Sequence, residues 1–144
     1  MPVNILYQTA AQAVGGRDGH AKTLDGSLDL KLATPKELGG AGGDGNNPEQ
    51  LFAAGYAACF LNAMKFIAHR DKDVFPADST VTATVGIGPD GSGGFGLDVA
   101  LQVAMPGVAR AQAEALVEKA HRACPYSNAV RGNIDVRLEI APSA

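Results

Sequence analysis

Apolar and polar residues alternate in several short parts of this chain, and alternation with a period of two is typical of half-buried β-strands. The clearest case is a pair of runs at residues 81–87 and 95–103, separated by a turn containing proline and glycine, which predicts a β-hairpin. Shorter strands are predicted before and after this hairpin, at residues 3–9, 12–14, 20–23, 28–32 and 134–140.

A longer pattern lies at residues 46–70, and it predicts the helix around which the chain is organised. Asn46 or Asn47 can cap the helix, Pro48 suits its first position, and Glu49 places a negative charge in its first turn. From residue 51 to residue 67 the helix is apolar nearly all round, so we expect it to be buried.

A second helix is predicted at residues 109–124, because its apolar positions fall on one face and its charged positions lie elsewhere. Pro125 is expected to end it. The order of elements predicts an α+β fold in which antiparallel sheets pack around the long buried central helix, as a single domain over residues 1–144. So small a chain would struggle to surround an all-apolar helix. We therefore expect an obligate homodimer in which the central helix packs on its counterpart.

Composition narrows the classes of partner. The net charge of −3 argues against nucleic acid and against an anionic membrane surface. The uncharged part of the central helix, residues 51–64, is shorter than the roughly 20 residues that a membrane span needs. The first ten residues have no basic region followed by an apolar run, so we expect no signal peptide and a cytoplasmic protein.

The segment at residues 39–45 contains five glycines and predicts a flexible loop. A phosphate cradle is the alternative, but the segment matches neither the P-loop nor the dinucleotide-binding fingerprint.

The chain has two cysteines, Cys59 in the middle of the central helix and Cys124 at the C-terminal end of the second helix, and no CxxC pair. Two distant cysteines in a cytoplasmic chain are typically free, catalytic or redox-cycling rather than a permanent disulfide. The three histidines form no metal-ligand pattern with them, so we expect no zinc site.

Cys59 has two interpretations: an inert core thiol, or a thiol that reacts with peroxide. Reaction requires the thiolate, and apolar surroundings raise a thiol's pKa, so a cation must be brought to it. Arg17, in the glycine-flanked turn GGRDG, is the best candidate, although a solvated turn arginine is the ordinary alternative. Glu49 is the candidate partner of Arg17, and its ordinary role is a favourable charge at a helix start.

Helix geometry limits how these groups can combine. Glu49 and Cys59 are ten positions apart, which is about 15 Å along a continuous helix. If both belong to one site, Glu49 is expected to come from the partner subunit. Cys124 is expected at a helix C-terminus, where the dipole disfavours a thiolate, so it is the poorer first nucleophile. It could still resolve an oxidised Cys59 by forming a disulfide with it. Whether the two thiols are close is left open by the sequence.

The same residues resemble a known family, the organic hydroperoxide resistance (Ohr) proteins of the Ohr/OsmC superfamily. The matching segments are GGRDG at residues 15–19, LGGAGGDGNNPEQLFAAGYAACF at residues 38–60 and CPYSNAVRGN at residues 124–133. They occur in order, and the similarity covers essentially the whole chain. The second and third segments are long and specific.

The resemblance implies an intertwined homodimer and a cysteine-based peroxidase, with no metal or haem, that acts in oxidative stress defence. Cys59 matches the peroxidatic cysteine and Cys124 the resolving one. Arg17 and Glu49 match the ion pair that activates the thiolate. The implied substrates are organic hydroperoxides, including fatty-acid hydroperoxides, and the implied reductant is a dihydrolipoyl group on a lipoylated protein or another dithiol.

Three other readings stay open at this point. A general thiol peroxidase or disulfide reductase would show no preference for organic substrates. A redox-sensing or binding module would signal by oxidation rather than turn over. A structural α+β dimer would use its cysteines only as core residues.

Overall fold

The computed structural model describes residues 3–142 of the chain. The chain divides into two compact units, Met1–Leu51 and Phe52–Ala144. The central helix α1, Pro48–Arg70, begins in the first unit and continues into the second. The single domain expected over residues 1–144 stays a prediction.

The first unit contains a small antiparallel sheet of three strands in the order β1–β2–β3. Their bounds are Ala11–Val14, His20–Thr23 and Asp29–Lys31. A short 3₁₀ helix, Lys36–Leu38, follows, and residues 39–45 form a loop without regular structure, as predicted.

The strand predicted at residues 3–9 is wrong, because these residues form no regular element. A strand needs a hydrogen-bonded neighbour, and within residues 3–142 the sheet begins only at Ala11. The apolar side chains of this segment are therefore highly exposed, with Val3 at 81% and Leu6 at 92%.

Helix α1 begins where the sequence predicted, and Asn47 is its N-cap. The Asn47 carboxamide accepts a hydrogen bond from the backbone N–H of Gln50 at 2.8 Å, and the Gln50 side chain accepts one from the Asn47 N–H at 3.1 Å. This reciprocal pair is a capping box, which satisfies two N–H groups that the helix itself leaves free.

The second unit is built on a sheet of order β4–β5–β6, with β4 at Thr80–Pro89, β5 at Phe95–Ala104 and β6 at Arg137–Ile140. The predicted hairpin β4–β5 is confirmed. The last strand is shorter than predicted and pairs with β5 in parallel rather than antiparallel. Its direction follows from the two helices that connect β5 to β6, since a long crossover brings the chain back in the same direction.

The connecting helices are α2, Arg110–Ala123, and α3, Pro125–Val130. Pro125 ends α2 as predicted, but it also starts α3 at the first helical position, which proline favours. The core of this unit is formed by α1, β5 and α2. Its members are Tyr56, Phe60, Ala63, Met64, Ile67, Ala68, Val99, Leu101, Val103, Met105, Ala113, Leu116, Val117, Ala120, Cys124 and Val130.

By length and hydropathy alone α1 could cross a membrane, so the length of its uncharged part does not exclude a membrane span. Burial decides the matter instead. Six of its residues, spaced at helical intervals from Tyr56 to Ala68, are buried in the core of the second unit. Helix α1 is therefore a core helix, and the predicted α+β class is confirmed.

Candidate active site

The two cysteines lie in contact within the second unit. The Sγ atom of Cys59, on α1, is 3.5 Å from the Sγ atom of Cys124, at the junction of α2 and α3. Both thiols are free; Cys59 is partly exposed, whereas Cys124 is fully buried. The two thiols, whose separation the sequence left open, are therefore close in space although they are 65 positions apart in the chain.

The surroundings of Cys59 act on its pKa in opposite directions. Burial raises the pKa of the thiol, and the hydrogen bond and charge of the neighbouring Cys124 raise it further. A hydrogen bond from the Tyr126 backbone lowers it. The net direction is upward, so the groups of the second unit do not by themselves favour the thiolate.

Cys124 occupies a position that the sequence described only in part. It is the C-cap of α2, as expected, but it is also the N-cap of α3. The unfavourable dipole of one helix end is thus opposed by the favourable dipole of another. The difference between the two cysteines lies instead in access, since Cys59 is partly exposed and Cys124 is fully buried.

A buried polar network lies beside the cysteines. The hydroxyl groups of Tyr56 and Ser127 are 2.6 Å apart, and the Ser127 hydroxyl is 2.9 Å from Nδ1 of His121. Tyr56 and Ser127 are fully buried, and burial followed by the charge of Arg131 lowers the pKa of His121. Each of the two hydroxyl groups can donate or accept, and Nδ1 of a neutral imidazole does one or the other according to its tautomer, so the Ser127 hydroxyl can hydrogen-bond to both of its neighbours.

Tyr126 covers the stretch of α1 that precedes Cys59. A Cβ atom on Gly55 would lie 2.7 Å from the Tyr126 hydroxyl, so glycine is what allows the phenol ring to lie against the helix. The ring also packs edge-on against Phe52, with centroids 6.2 Å apart, and is tilted against Tyr56 at 5.7 Å. Aromatic groups therefore line α1 on the side that bears the cysteine.

The first unit brings Arg17 and Glu49 together. Two nitrogens of the guanidinium donate to the two carboxylate oxygens, at 2.9 Å and 2.6 Å. This bidentate ion pair raises the pKa of Arg17 and lowers that of Glu49, so both groups stay charged. Glu49 is mostly buried, with a side chain 13% exposed, whereas a third of the Arg17 side chain remains accessible.

The turn that carries Arg17 is closed by its own neighbours. The Asp18 carboxylate accepts a hydrogen bond from the Thr34 backbone N–H at 3.0 Å, which ties the turn to the segment after β3. At Gly19, a Cβ atom would lie 1.6 Å from the Val14 carbonyl oxygen, so no other residue fits there. The GGRDG sequence thus places Arg17 in a fixed turn.

The structure therefore brings the four residues predicted from sequence into two pairs, each within one unit. Their chemical roles stay predictions. Sequence reasoning missed the network of Tyr56, Ser127 and His121. The available signal was spacing, since each of these residues lies three positions from a cysteine.

The chain is similar to known proteins over most of its length. The family described as OsmC-like protein matches residues 40–139. The organic hydroperoxide resistance protein of Xanthomonas axonopodis pv. citri (strain 306) is 57% identical over 140 residues, covering 97% of this chain and 98% of that protein. Organic hydroperoxide resistance protein OhrA of Bacillus subtilis (strain 168) is 45% identical over 142 residues, covering 94% and 96%.

Two crystal structures show the same fold. An organic hydroperoxide resistance protein from Legionella pneumophila has a TM-score of 0.91 and 51% identity, over 96% of this chain and 100% of that one. One from Vibrio cholerae O1 biovar eltor str. N16961, with captopril bound in one of its active sites, has a TM-score of 0.91 and 51% identity, over 97% and 95%. The chain belongs to the OsmC-like family and, within it, to the organic hydroperoxide resistance (Ohr) proteins.

Proposed function

We propose that this protein is a cysteine-based peroxidase that reduces organic hydroperoxides, including fatty-acid hydroperoxides, to alcohols in oxidative stress defence. The observation that carries the proposal is the contact between the sulfur atoms of Cys59 and Cys124, 3.5 Å apart and unequally buried. A partly exposed thiol can meet a peroxide, and a buried thiol in contact with it can close a disulfide. The names of the relatives support the substrate class.

The first step is attack of the Cys59 thiolate on the distal oxygen of the hydroperoxide. The O–O bond breaks, the alkoxide leaves and takes a proton to become the alcohol, and Cys59 becomes a sulfenic acid. The Cys124 sulfur then attacks Cys59, the S–O bond breaks, and water leaves as the disulfide forms. A dithiol such as a dihydrolipoyl group reduces this disulfide by exchange and is itself oxidised to a disulfide.

The thiolate needs a cation, because burial raises the pKa of Cys59 within its own unit. We assign that role to Arg17, which would also stabilise the charge that develops on the leaving oxygen. Glu49 keeps the guanidinium in place through the bidentate pair. Helix α1 is continuous, so Glu49 and Cys59 of one chain lie about 15 Å apart along it. We therefore assign to each Cys59 the ion pair of Arg17 and Glu49 from the partner subunit.

The proposed assembly is a homodimer. Support comes from large apolar side chains that one chain leaves exposed, since contact with a second copy would remove them from water. They occur in both units, with Ile5 at 67% and Tyr7 at 80% in the first, and Phe66 at 63% and Val74 at 70% in the second. A monomer by light scattering at micromolar concentration would refute this part. The proposed compartment is the cytoplasm, where free thiols persist.

Preference for organic peroxides follows from an apolar approach to Cys59. Tyr56, Phe60 and Met64 of the same helix are buried in the core, whereas Phe52 is only partly buried and packs against Tyr126. Each CH₂ group of a substrate that leaves water adds about 0.8 kcal/mol of binding, which hydrogen peroxide cannot supply.

The test is peroxide consumption by the purified protein with dihydrolipoamide as reductant, comparing cumene hydroperoxide with hydrogen peroxide. We expect turnover with a clear preference for cumene hydroperoxide, and no turnover in Cys59→Ser. Equal rates with the two peroxides would remove the substrate preference. Absence of turnover in the wild-type protein would refute the peroxidase and favour a sensing or structural role.

A further inference from the structure

The network of Tyr56, Ser127 and His121 joins α1, which carries Cys59, to α2 and α3, which flank Cys124. Tyr56 lies on α1, three residues before Cys59. His121 lies on α2, and Ser127 on α3, three residues to either side of Cys124. Tyr56 therefore stands about one helical turn from Cys59, whereas His121 and Ser127 flank Cys124 in the chain.

The hydroxyl of Ser127 is the common point of the network. It lies 2.6 Å from the Tyr56 hydroxyl and 2.9 Å from Nδ1 of His121, and it is fully buried. Arg131, directly after α3, adds a link to α2, because its guanidinium donates to the His121 carbonyl and to the Asn128 side chain, each at 2.6 Å. The position of α1 relative to the α2–α3 junction is therefore held by hydrogen bonds with defined geometry.

That position matters for one chemical step above all. The two sulfur atoms are 3.5 Å apart, and a disulfide bond is about 2.05 Å long, so closure requires a movement of about 1.5 Å. Attack of a peroxide on Cys59 requires no such approach. A misplacement of about 1 Å can cost on the order of a hundredfold in rate, so the closing step is the one that depends on helix position.

We propose that Tyr56, Ser127 and His121 act as positioning residues for disulfide closure. They hold Cys124 against Cys59, so that the Cys59 sulfenic acid is captured before a second peroxide oxidises it to the sulfinic acid. In the step they serve, the S–S bond forms, the Cys59 S–O bond breaks, and the hydroxyl leaves as water with the proton of the Cys124 thiol. The inference rests on the proposed function for its oxidant.

Ser127→Ala is the direct test, because it removes the shared hydroxyl and leaves both cysteines in place. Tyr56→Phe, which removes only a hydroxyl, is the second variant. Ser92→Ala is the matched control, since the Ser92 hydroxyl also makes a 2.7 Å hydrogen bond, to Asp90, in the exposed turn between β4 and β5. Ser127→Thr keeps a hydroxyl, so its rate of disulfide closure should lie between those of Ser127→Ala and the wild-type protein. Thermal melting shows which variants are folded.

Each reduced protein is mixed with one equivalent of cumene hydroperoxide and quenched at intervals. Loss of peroxide measures the first step, and intact mass after alkylation measures closure. We expect Ser127→Ala to close about tenfold more slowly, the ratio for loss of one hydrogen bond, with an unchanged first step. Excess peroxide should then convert more of it to the sulfinic acid, 32 Da heavier. Ser92→Ala should match wild type.

A lower melting temperature with unchanged closure in both variants would overturn the inference, because the network would then be only structural. Equal slowing of both steps would also overturn it. Diamide oxidises the two thiols without a peroxide site, so the rate of disulfide closure with diamide can be compared independently between each variant and the wild-type protein. A wild-type protein that closes with diamide but consumes no peroxide would refute the proposed function, and the closure rates with diamide would still decide the role of the network.

Discussion

Disulfide closure should stabilise this protein, and the structure gives the magnitude. Cys59 and Cys124 enclose a long loop, because they are 65 positions apart in the chain. In the chain-entropy treatment, a link across about 65 residues removes unfolded-state freedom equal to about 4 kcal/mol at 25 °C. The sulfur atoms must approach by about 1.5 Å, and any strain from that movement subtracts from the gain. We expect the oxidised protein to be more stable by about 2 to 4 kcal/mol.

Urea unfolding of the oxidised and the reduced protein measures this difference. Both samples are held at the same protein concentration, since the apparent stability of the proposed dimer would depend on concentration. Cys124→Ser is the control, because it cannot form the link and should unfold alike after either treatment. The reasoning is refuted if the oxidised wild-type protein is no more stable than the reduced one, since the two thiols would then not be poised for an unstrained bond.

Three further predictions test other parts of the site. Arg17→Ala should raise the pKa of Cys59, slow its reaction with cumene hydroperoxide by about tenfold or more at pH 7, and move the pH profile of the rate to higher pH; an unchanged profile would discard the arginine as activator. The hydrogen bond that closes the arginine turn lowers the pKa of Asp18, so its stabilising effect is present above the unfolded pKa of about 4 and is lost as pH falls through the lower folded value. Asp18→Ala should lack that part of the acid dependence in urea unfolding, and identical pH curves would speak against the tie. Gly55→Ala adds up to about 1 kcal/mol of helix propensity but pushes the Tyr126 ring away at a cost of about 1 to 3 kcal/mol, so we expect no gain in unfolding free energy, and a gain of about 1 kcal/mol would show that the ring moves freely.

Much of the fold could be read from the sequence because local pattern and final structure agree. The hairpin of β4 and β5 follows from alternation alone, and α1 follows from its capping residues and its length. The errors occur where the outcome depends on distant parts of the chain. Residues 3–9 have a strand pattern, but nothing in the pattern supplies the neighbour that a strand requires.

The direction of β6 was missed for a related reason. Its alternation indicates a strand, but only the path of α2 and α3 decides whether it runs with or against β5. Helix α3 itself was missed because Pro125 was read only as a stop, although proline is equally suited to a first turn.

The chemistry of the site could be proposed from residue types, but its distances could not. Arg17 and Glu49 are 32 positions apart, and no local pattern predicts their bidentate contact. The same holds for the two cysteines. The spacing of three positions from Cys124 was the signal that Ser127 offered, and only the fold places its hydroxyl between Tyr56 and His121.

The central claim is that Cys59 and Cys124 act together on an organic hydroperoxide. Its most direct test is the intact mass of the reduced protein after one equivalent of cumene hydroperoxide, measured under denaturing conditions with and without thiol alkylation. The account predicts the loss of two protons and of both alkylatable thiols within one chain. Two thiols that remain free after exposure would contradict it and would make the cysteines inert members of the core.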